Sequence, residues 1–292
     1  MKKCAYLTMR DPGDFVTDYD LSFAAMAAHG WHVATVCWRD ASLDWNRFDA
    51  VYICTPWDYP QHLQQFLEVL QSIENSTAVL VNPLALVHWT LEKTYLADLQ
   101  HRGADIVPSR WFDDFAEQEI ADCFQAFDVT TLIIKPVVGA NAQDTYVLQQ
   151  PIPPRMLAML RSTFLQRAFF VQPFIDNIRT EGEFSLFYFG GAYSHAILKV
   201  PKVGDFRVQE EHGGDIRSVQ PSAALLAAGQ HVLSLVEPQP VYVRADFVRS
   251  ADNRFLLMEL EMIEPSLYLR MDADAADRFA AAFDHYVSGE IS

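Results

Sequence analysis

The chain has 292 residues, half of them hydrophobic, and a net charge of −16. That is enough material for a sizeable core and two or three domains. The charge argues against nucleic acid and anionic membranes as partners, and no apolar run reaches the roughly eighteen residues of a spanning helix.

The N-terminal apolar run stops at Arg10. It is too short for a signal peptide and fits a buried first strand. Cys4, Cys37, Cys54 and Cys123 lack metal-ligand spacing, so a reduced, cytoplasmic protein is the simplest reading. Strand-like runs at 3–9, 31–38, 50–55 and 78–81 alternate with helical patterns at 20–29 and 60–73, the first closed by Gly30. This alternation predicts a parallel α/β domain over residues 1–83. No GxGxxG follows the first strand, which disfavours dinucleotide binding. Ligands in such sheets bind beyond the carboxyl ends of the strands. Arg10, Asp58 and Tyr59 lie there and are candidate substrate contacts, although ordinary loop polarity would also explain each.

Residues 83–103 read as one helical connection carrying Lys93. Extended chain at 105–110 and a helix at 115–127 lead to TTLIIKP, a strand with Lys135 near its end. The small-residue loop around Gly139 follows, and a strand returns at 145–148. Backbone N–H groups of such a loop can approach phosphate oxygens closely, while a flexible hairpin tip is the alternative. A helix at 155–166 precedes the strand-like FFVQPFI at 169–175. Gly190-Gly191 between 183–189 and 192–200 signals a hairpin with a primed turn. Residues 201–220 show no apolar periodicity, and loops that long are usually functional or disordered. Ser222 should cap a helix running to about Val236, and 272–287 should form a final amphipathic helix through Phe279, Phe283 and Tyr286.

Between these two helices lies VYVRADFVRSADNRFLLMELEMIEPS, residues 241–266. It reads as two strands and a polar turn. With Ser250 opposite Phe255, Asp246 opposes Glu259 and Arg244 opposes Glu261, all on one face. Ala245, Phe247, Met258, Leu260 and Met262 would form the core face. Opposed carboxylates repel, and burying them unpaired costs several kcal/mol or raises their pKa values. Arg244 can neutralise one of them, and a divalent metal with oxygen ligands could neutralise the rest. A solvated, salt-bridged sheet face is the other reading.

The order of these pieces, with the segments IIKP, VQPFI, KVGDFRVQEEHGG and MELEMIEPS, resembles the ATP-grasp superfamily. The similarity is to its glutathione-synthetase-like branch, and within it to the cyclo-ligases that close O-ureido-D-serine to D-cycloserine. The resemblance covers nearly the whole chain. It implies an α/β ATP-grasp fold: an N-terminal parallel α/β domain (1–83), a connecting helix with a small central lid (84–172) and a C-terminal antiparallel-sheet subdomain (173–292). It implies ATP and Mg²⁺, or Mn²⁺, as cofactors. Lys93 and Lys135 would hold phosphates under the loop at Gly139. Gln172, Pro173, Phe174 and Ile175 would read adenine, and Glu183 the ribose. Lys199 and Arg207 would act at the γ-phosphate and the acyl phosphate, with Arg244 completing the basic set. Asp246, Glu259 and Glu261 would be metal ligands, Glu261 standing where the family commonly has Asn. Ser266 would face the acceptor. The implied reaction joins a small-molecule carboxylate to an amine through an acyl phosphate, with cyclo-ligation as its intramolecular form. A small-molecule kinase and a non-catalytic nucleotide-binding protein are the alternatives, and homo-oligomerisation is left open.

Overall fold

A computed structural model describes residues 1–289. The chain opens with β1 (Lys2–Thr8), α1 (Ser22–Ala28), β2 (Trp31–Cys37), β3 (Ala50–Thr55), α2 (Leu63–Glu74) and β4 (Val79–Val81). The four strands form a parallel sheet in the order β2-β1-β3-β4. Every residue of β3 is buried, as expected of a parallel strand covered on both faces. Helix α2 buries Phe66, Leu70 and Ile73, one stripe at helical spacing, against Leu7, Val51 and Ile53.

The expected single helix over 83–103 is two, α3 (Leu84–Thr90) and α4 (Tyr95–His101). Lys93 sits in the break, where its N–H donates to the Val137 carbonyl (3.0 Å). Then come β5 (Arg110–Phe112), α5 (Glu117–Phe127), β6 (Thr131–Pro136), β7 (Tyr146–Gln149), α6 (Pro154–Phe164) and β8 (Phe169–Pro173). Their strands form an antiparallel sheet ordered β5-β8-β6-β7, covered by Ile120 and Phe124 of α5 and Leu160 and Phe164 of α6.

The last part holds α7 (Asn177–Thr180), β9 (Glu183–Phe189), β10 (Ala192–Val200), β11 (Asp215–Ser218), α8 (Ala223–Ser234), β12 (Tyr242–Arg249), β13 (Phe255–Glu261) and α9 (Ala275–Val287). The strands are antiparallel in the order β11-β10-β9-β12-β13. Gly190 and Gly191 turn with φ of 55° and 80°. The Ser222 hydroxyl accepts from the Leu225 N–H, capping α8 as expected. Phe279 and Phe283 of α9 pack with Tyr6, Tyr52 and Cys54 on the other side of the parallel sheet. Strand β11 lies inside the stretch expected to be loop. Its residues are exposed or half-buried, so no alternation announces it, and β10 supplies the pairing.

The β12–β13 turn closes one residue tighter than expected, between the Ser250 N–H and the Arg254 carbonyl (2.8 Å), which sets Arg249 opposite Phe255. A bulge between Asp246 and Phe247 then absorbs one residue and restores the Asp246–Glu259 and Arg244–Glu261 pairs. Met258 is the residue absorbed. Instead of joining the core it borders a cavity beside Val248.

Fully buried Asn82 ties the end of the parallel sheet to this hairpin. Its Nδ2 donates to the Tyr242 and Met262 carbonyls (2.9 Å each), and its Oδ1 accepts from the Val241 N–H (2.7 Å). Among the described residues no helix is long and apolar enough to cross a membrane.

Candidate functional site

Strands of the two antiparallel sheets, together with the loops that follow β1 and β3 of the parallel sheet, border one open cavity. Its charged wall is the face of β12–β13. Arg244 Nε donates to both Asp246 oxygens at 3.1 Å, and Arg244 Nη2 reaches Asp246 Oδ2 (3.0 Å) and the Glu261 carboxylate. Lys199 Nζ stands 2.8 Å from Glu183 Oε1 and 3.5 Å from Asp246 Oδ1. Burial pushes the Asp246 carboxyl up, but Arg244 and Lys199 outweigh it and hold it below the usual range. At Glu183 burial wins over Lys199, and the carboxyl is raised. Gly182 lets the chain pass this close. Its φ is +114°, and a Cβ there would meet the Lys199 carbonyl at 2.5 Å.

A second set of contacts joins this face to the small-residue loop. Lys93 Nζ lies 3.0 Å from Glu259 Oε1 and donates to the Gly139 carbonyl (2.8 Å). In the loop, Asn141, Ala142 and Asp144 all hold φ near +54°, a left-handed conformation that is costly for non-glycine residues and recurs at ligand-binding segments. Gln143 accepts from Gln61 Nε2 (3.1 Å), and Asp144 is held by Arg167 (2.6 Å). Lys135 faces the same space. Among the described residues no carboxylate oxygen lies within 4.0 Å of its Nζ. Burial lowers its pKa, and the pull of Glu259 does not make up the difference.

An apolar slot lies between the two antiparallel sheets, formed by Val107, Ile178, Val208, Val248 and Leu256 with Phe174, Ile175 and Met258 at its rim. Gln172 is buried and its amide is spent on Ser109 Oγ (2.9 Å). Pro173 has no N–H to offer. The Phe174 N–H donates to Thr131, and the Ile175 carbonyl accepts from Ile178. Among the described residues, the Phe174 carbonyl and the Ile175 N–H have no such partner. Arg207, near the mouth, is half-exposed and clamps Asp205, with Nη2 2.8 Å from Oδ2.

The loops after β1 and β3 bring Phe15, Trp57 and Tyr59 to the cavity, and Ser266 borders it as well. Arg10 and Asp58 do not. Arg10 is exposed outside the lining. Asp58 is turned to its own sheet, where Oδ1 accepts from Trp38 Nε1 (2.6 Å) and Oδ2 pairs with Arg39 (2.9 Å). The remaining candidate residues named from the sequence all line the cavity.

Two further lining residues, Tyr268 and Glu264, bear on the charge and backbone of the site. Tyr268 is buried with a left-handed φ of +47°. Glu264 is pushed up to about 8, first by burial and then by Glu261. Glu261 itself is raised to about 7, by burial working against Arg244. The available signal for Glu264 was a lone charge in the apolar segment MIEPS, three residues beyond Glu261.

Asp246, Glu259 and Glu261 are hard oxygen donors on one face, the set a divalent cation such as Mg²⁺ takes. Glu259 and Glu261 reach open space, with side chains 32% and 27% exposed. Here they are held by Lys93 and Arg244, and among the described residues no three acidic, His or Cys side chains are gathered to chelate. The donor chemistry fits, provided the glutamates turn from those cations.

Residues 4–82 match the family model for the N-terminal domain of D-cycloserine synthetase DcsG. Over 265 residues the chain is 33% identical to the cycloserine biosynthesis protein DcsG of Streptomyces lavendulae, covering 85% of this chain and 87% of that one. A crystal structure of D-cycloserine synthetase DcsG superposes with a TM-score of 0.86 at 27% identity, over 98% of this chain and 99% of that one. The D-alanine–D-alanine ligase of Bacillus anthracis shares the fold at a TM-score of 0.67 and 11% identity over both full lengths. The ATP-grasp ligase PsnB, complexed with a minimal precursor, Mg and ADP, shares it at 0.65 and 16%, over 98% of each chain. The chain therefore belongs to the ATP-grasp ligases, enzymes that form C–N bonds, in the family that includes DcsG.

Proposed function

We propose that this chain is an ATP-dependent cyclo-ligase that closes a small ureido amino acid, O-ureido-D-serine, through an acyl phosphate. The carrying observation is the charge arrangement of this cavity. Lys135 is a half-buried cation with no carboxylate at ion-pairing distance, beside a strained small-residue loop and facing a wall of carboxylates braced by Arg244, Lys199 and Lys93. An unpaired ammonium partly withdrawn from water favours an anion beside it, and the phosphates of ATP would supply one.

In this reading the apolar slot takes adenine, with the Phe174 carbonyl and Ile175 N–H as its polar edge. Glu183 turns from Lys199 to the ribose. Lys93, Lys135, Lys199 and Arg207 spread over the phosphates. Mg²⁺ held by Asp246, Glu259 and Glu261 would neutralise phosphate charge when bound. The substrate carboxylate, placed by Arg244 and Ser266, attacks the γ-phosphorus, and ADP leaves. A nitrogen of the same substrate then attacks the acyl carbon, and phosphate leaves. The protein's part is position, electrostatics and exclusion of water, since an acyl phosphate hydrolyses. In this reading the chain divides into units 1–83, 84–172 and 173–292. A cytoplasmic site of action suits four free thiols.

The test is release of ADP and phosphate from ATP and Mg²⁺ over a panel of amino acids and ureido amino acids, with product analysis. O-ureido-D-serine should give a cyclic product and free phosphate in equal amounts. A stable phosphorylated product without free phosphate would make the enzyme a kinase instead.

A further inference from the structure

The charges around the cavity do not pair off completely. Arg244 serves Asp246 and Glu261, Lys199 serves Glu183 and Asp246, and Lys93 serves Glu259. Apart from the exposed Glu211, two groups are left over, one an amine and the other a carboxyl. Lys135 is the cation already assigned to phosphate. Glu264 is the carboxylate: among the described residues no Lys, Arg or His nitrogen lies within 4.0 Å of it. The hydroxyl of the buried Tyr59 stands near it and is neutral.

The Glu264 backbone is fixed, since its carbonyl accepts from Trp57 Nε1 (3.0 Å). Trp57 packs on Phe15 with ring centroids 5.1 Å apart, and both rings border the cavity beside Tyr59. A carboxylate without a counter-ion, walled by three aromatic rings, is the chemistry that receives an ammonium group: ion pairing from one side and cation–π attraction from the others.

We propose that Glu264, with Trp57 and Tyr59, binds the α-ammonium of the substrate and so selects amino acids over plain carboxylic acids. The inference rests on the proposed function for the direction of the substrate, and Glu264 acts there as a specificity-determining residue. Burial raises its carboxyl in the free protein, and an arriving ammonium would oppose that shift by favouring the ionised form.

The test compares O-ureido-D-serine with its analogue in which hydrogen replaces the amine. Calorimetry uses the wild type and Glu264→Gln, each with Mg²⁺ and a non-hydrolysable ATP analogue. The wild type should prefer the amine at least tenfold, and Glu264→Gln should bind both within about threefold of each other, since an amide keeps the shape but not the charge. Equal binding of the two compounds by the wild type, or binding of neither, would overturn the proposal. So would a Glu264→Gln that keeps the amine preference but needs tenfold more Mg²⁺, which would make Glu264 a metal ligand. Should the variant not fold, the wild-type comparison decides alone. ADP release with O-ureido-D-serine is followed in parallel. Its absence alongside a retained amine preference would remove the cyclo-ligase reading and leave the ammonium site standing.

Discussion

Strands β3 and β12 are equally buried and were built for different ends. β3 runs Ala-Val-Tyr-Ile-Cys-Thr through the middle of the parallel sheet with nothing ionisable by design at pH 7. β12 runs between β9 and β13 in the antiparallel sheet and carries Arg244 and Asp246, 9% and 3% exposed. The first contributes by removing apolar surface from water. The second spends part of that gain on desolvating charges, which are tolerable only because each has a partner. A substitution in the two strands should therefore obey different rules. In β3 the loss should follow volume. In β12 it should follow whether a charge is left alone.

The largest effect should come from orphaning the carboxylates that Arg244 of β12 holds. Arg244→Met leaves Asp246 and Glu261 facing each other, and should cost about 3–5 kcal/mol as a broken buried pair does. Ile53→Val in β3 should cost only about 0.5–1.5 kcal/mol. Adding Asp246→Leu to Arg244→Met should recover most of the loss while leaving the enzyme inactive. Urea unfolding of the three variants checks the contrast, and a double variant as unstable as the single one would show that β12 obeys the volume rule after all.

Next in size is the joint between the two regions. Asn82→Ala removes three buried hydrogen bonds at once and leaves the Val241 N–H without its partner. About 2–4 kcal/mol is expected, at 1–3 kcal/mol per unsatisfied buried group with partial relaxation. Hydrogen exchange should then quicken at both β4 and β12. Protection lost in only one sheet would mean that Asn82 does not couple them.

Smaller again are changes to cations and carboxylates at the edge of the cavity. Lys135→Met removes a charge that no carboxylate partners, so the melting temperature without ligand should hold or rise slightly, while the shift produced by ATP should vanish. Glu259→Gln behaves oppositely, because Lys93 is its partner at 3.0 Å. It should cost about 0–1 kcal/mol, as a partly exposed pair does, and still abolish ADP release. Thermal melts with and without ATP separate the two.

How much of this was legible beforehand differs between the regions in the same way. The parallel sheet follows from apolar periodicity, and its strands fall within a residue or so of where the pattern places them. The charged hairpin was legible in its pairing, Asp246 with Glu259 and Arg244 with Glu261, but by a route that missed two offsetting features. The turn is one residue tighter and a bulge takes up Met258, and neither leaves a mark in hydrophobic alternation. Lys93 was placed on a helix because nothing in its local sequence announces the break. The break is fixed by a bond to Val137, remote in the chain. Asp58 shows the opposite failure. Its position past β3 pointed to substrate, but a short side chain takes the nearest strong donors, here Trp38 and Arg39.

The smallest effect separates the regions by pH. Glu261 and Glu264 have folded pKa values raised from 4.5 to about 7 and about 8, chiefly by burial. Between 4.5 and those values the native state keeps protons that the unfolded chain has released. Stability from these groups is therefore full below about pH 4.5 and declines as pH rises through 7 and 8. Asp246, held low, acts only below pH 3.8. His195 runs the other way. Burial depresses it from 6.5 to about 4, so stability rises with pH across that interval and masks part of the decline. The clean window is pH 6.5 to 8.5. There, unfolding free energy should fall by about 1 kcal/mol once solvent screening of the half-buried Glu261 is allowed for. Glu264→Gln should flatten the upper part of that fall, while Ile53→Val should lower the whole curve without changing its slope. A wild-type profile flat across this window, or a Glu264→Gln slope equal to it, would mean that the carboxylates of the cavity wall are ionised and solvated at neutral pH. The contrast between β3 and β12 would then stop at Arg244 and Asp246.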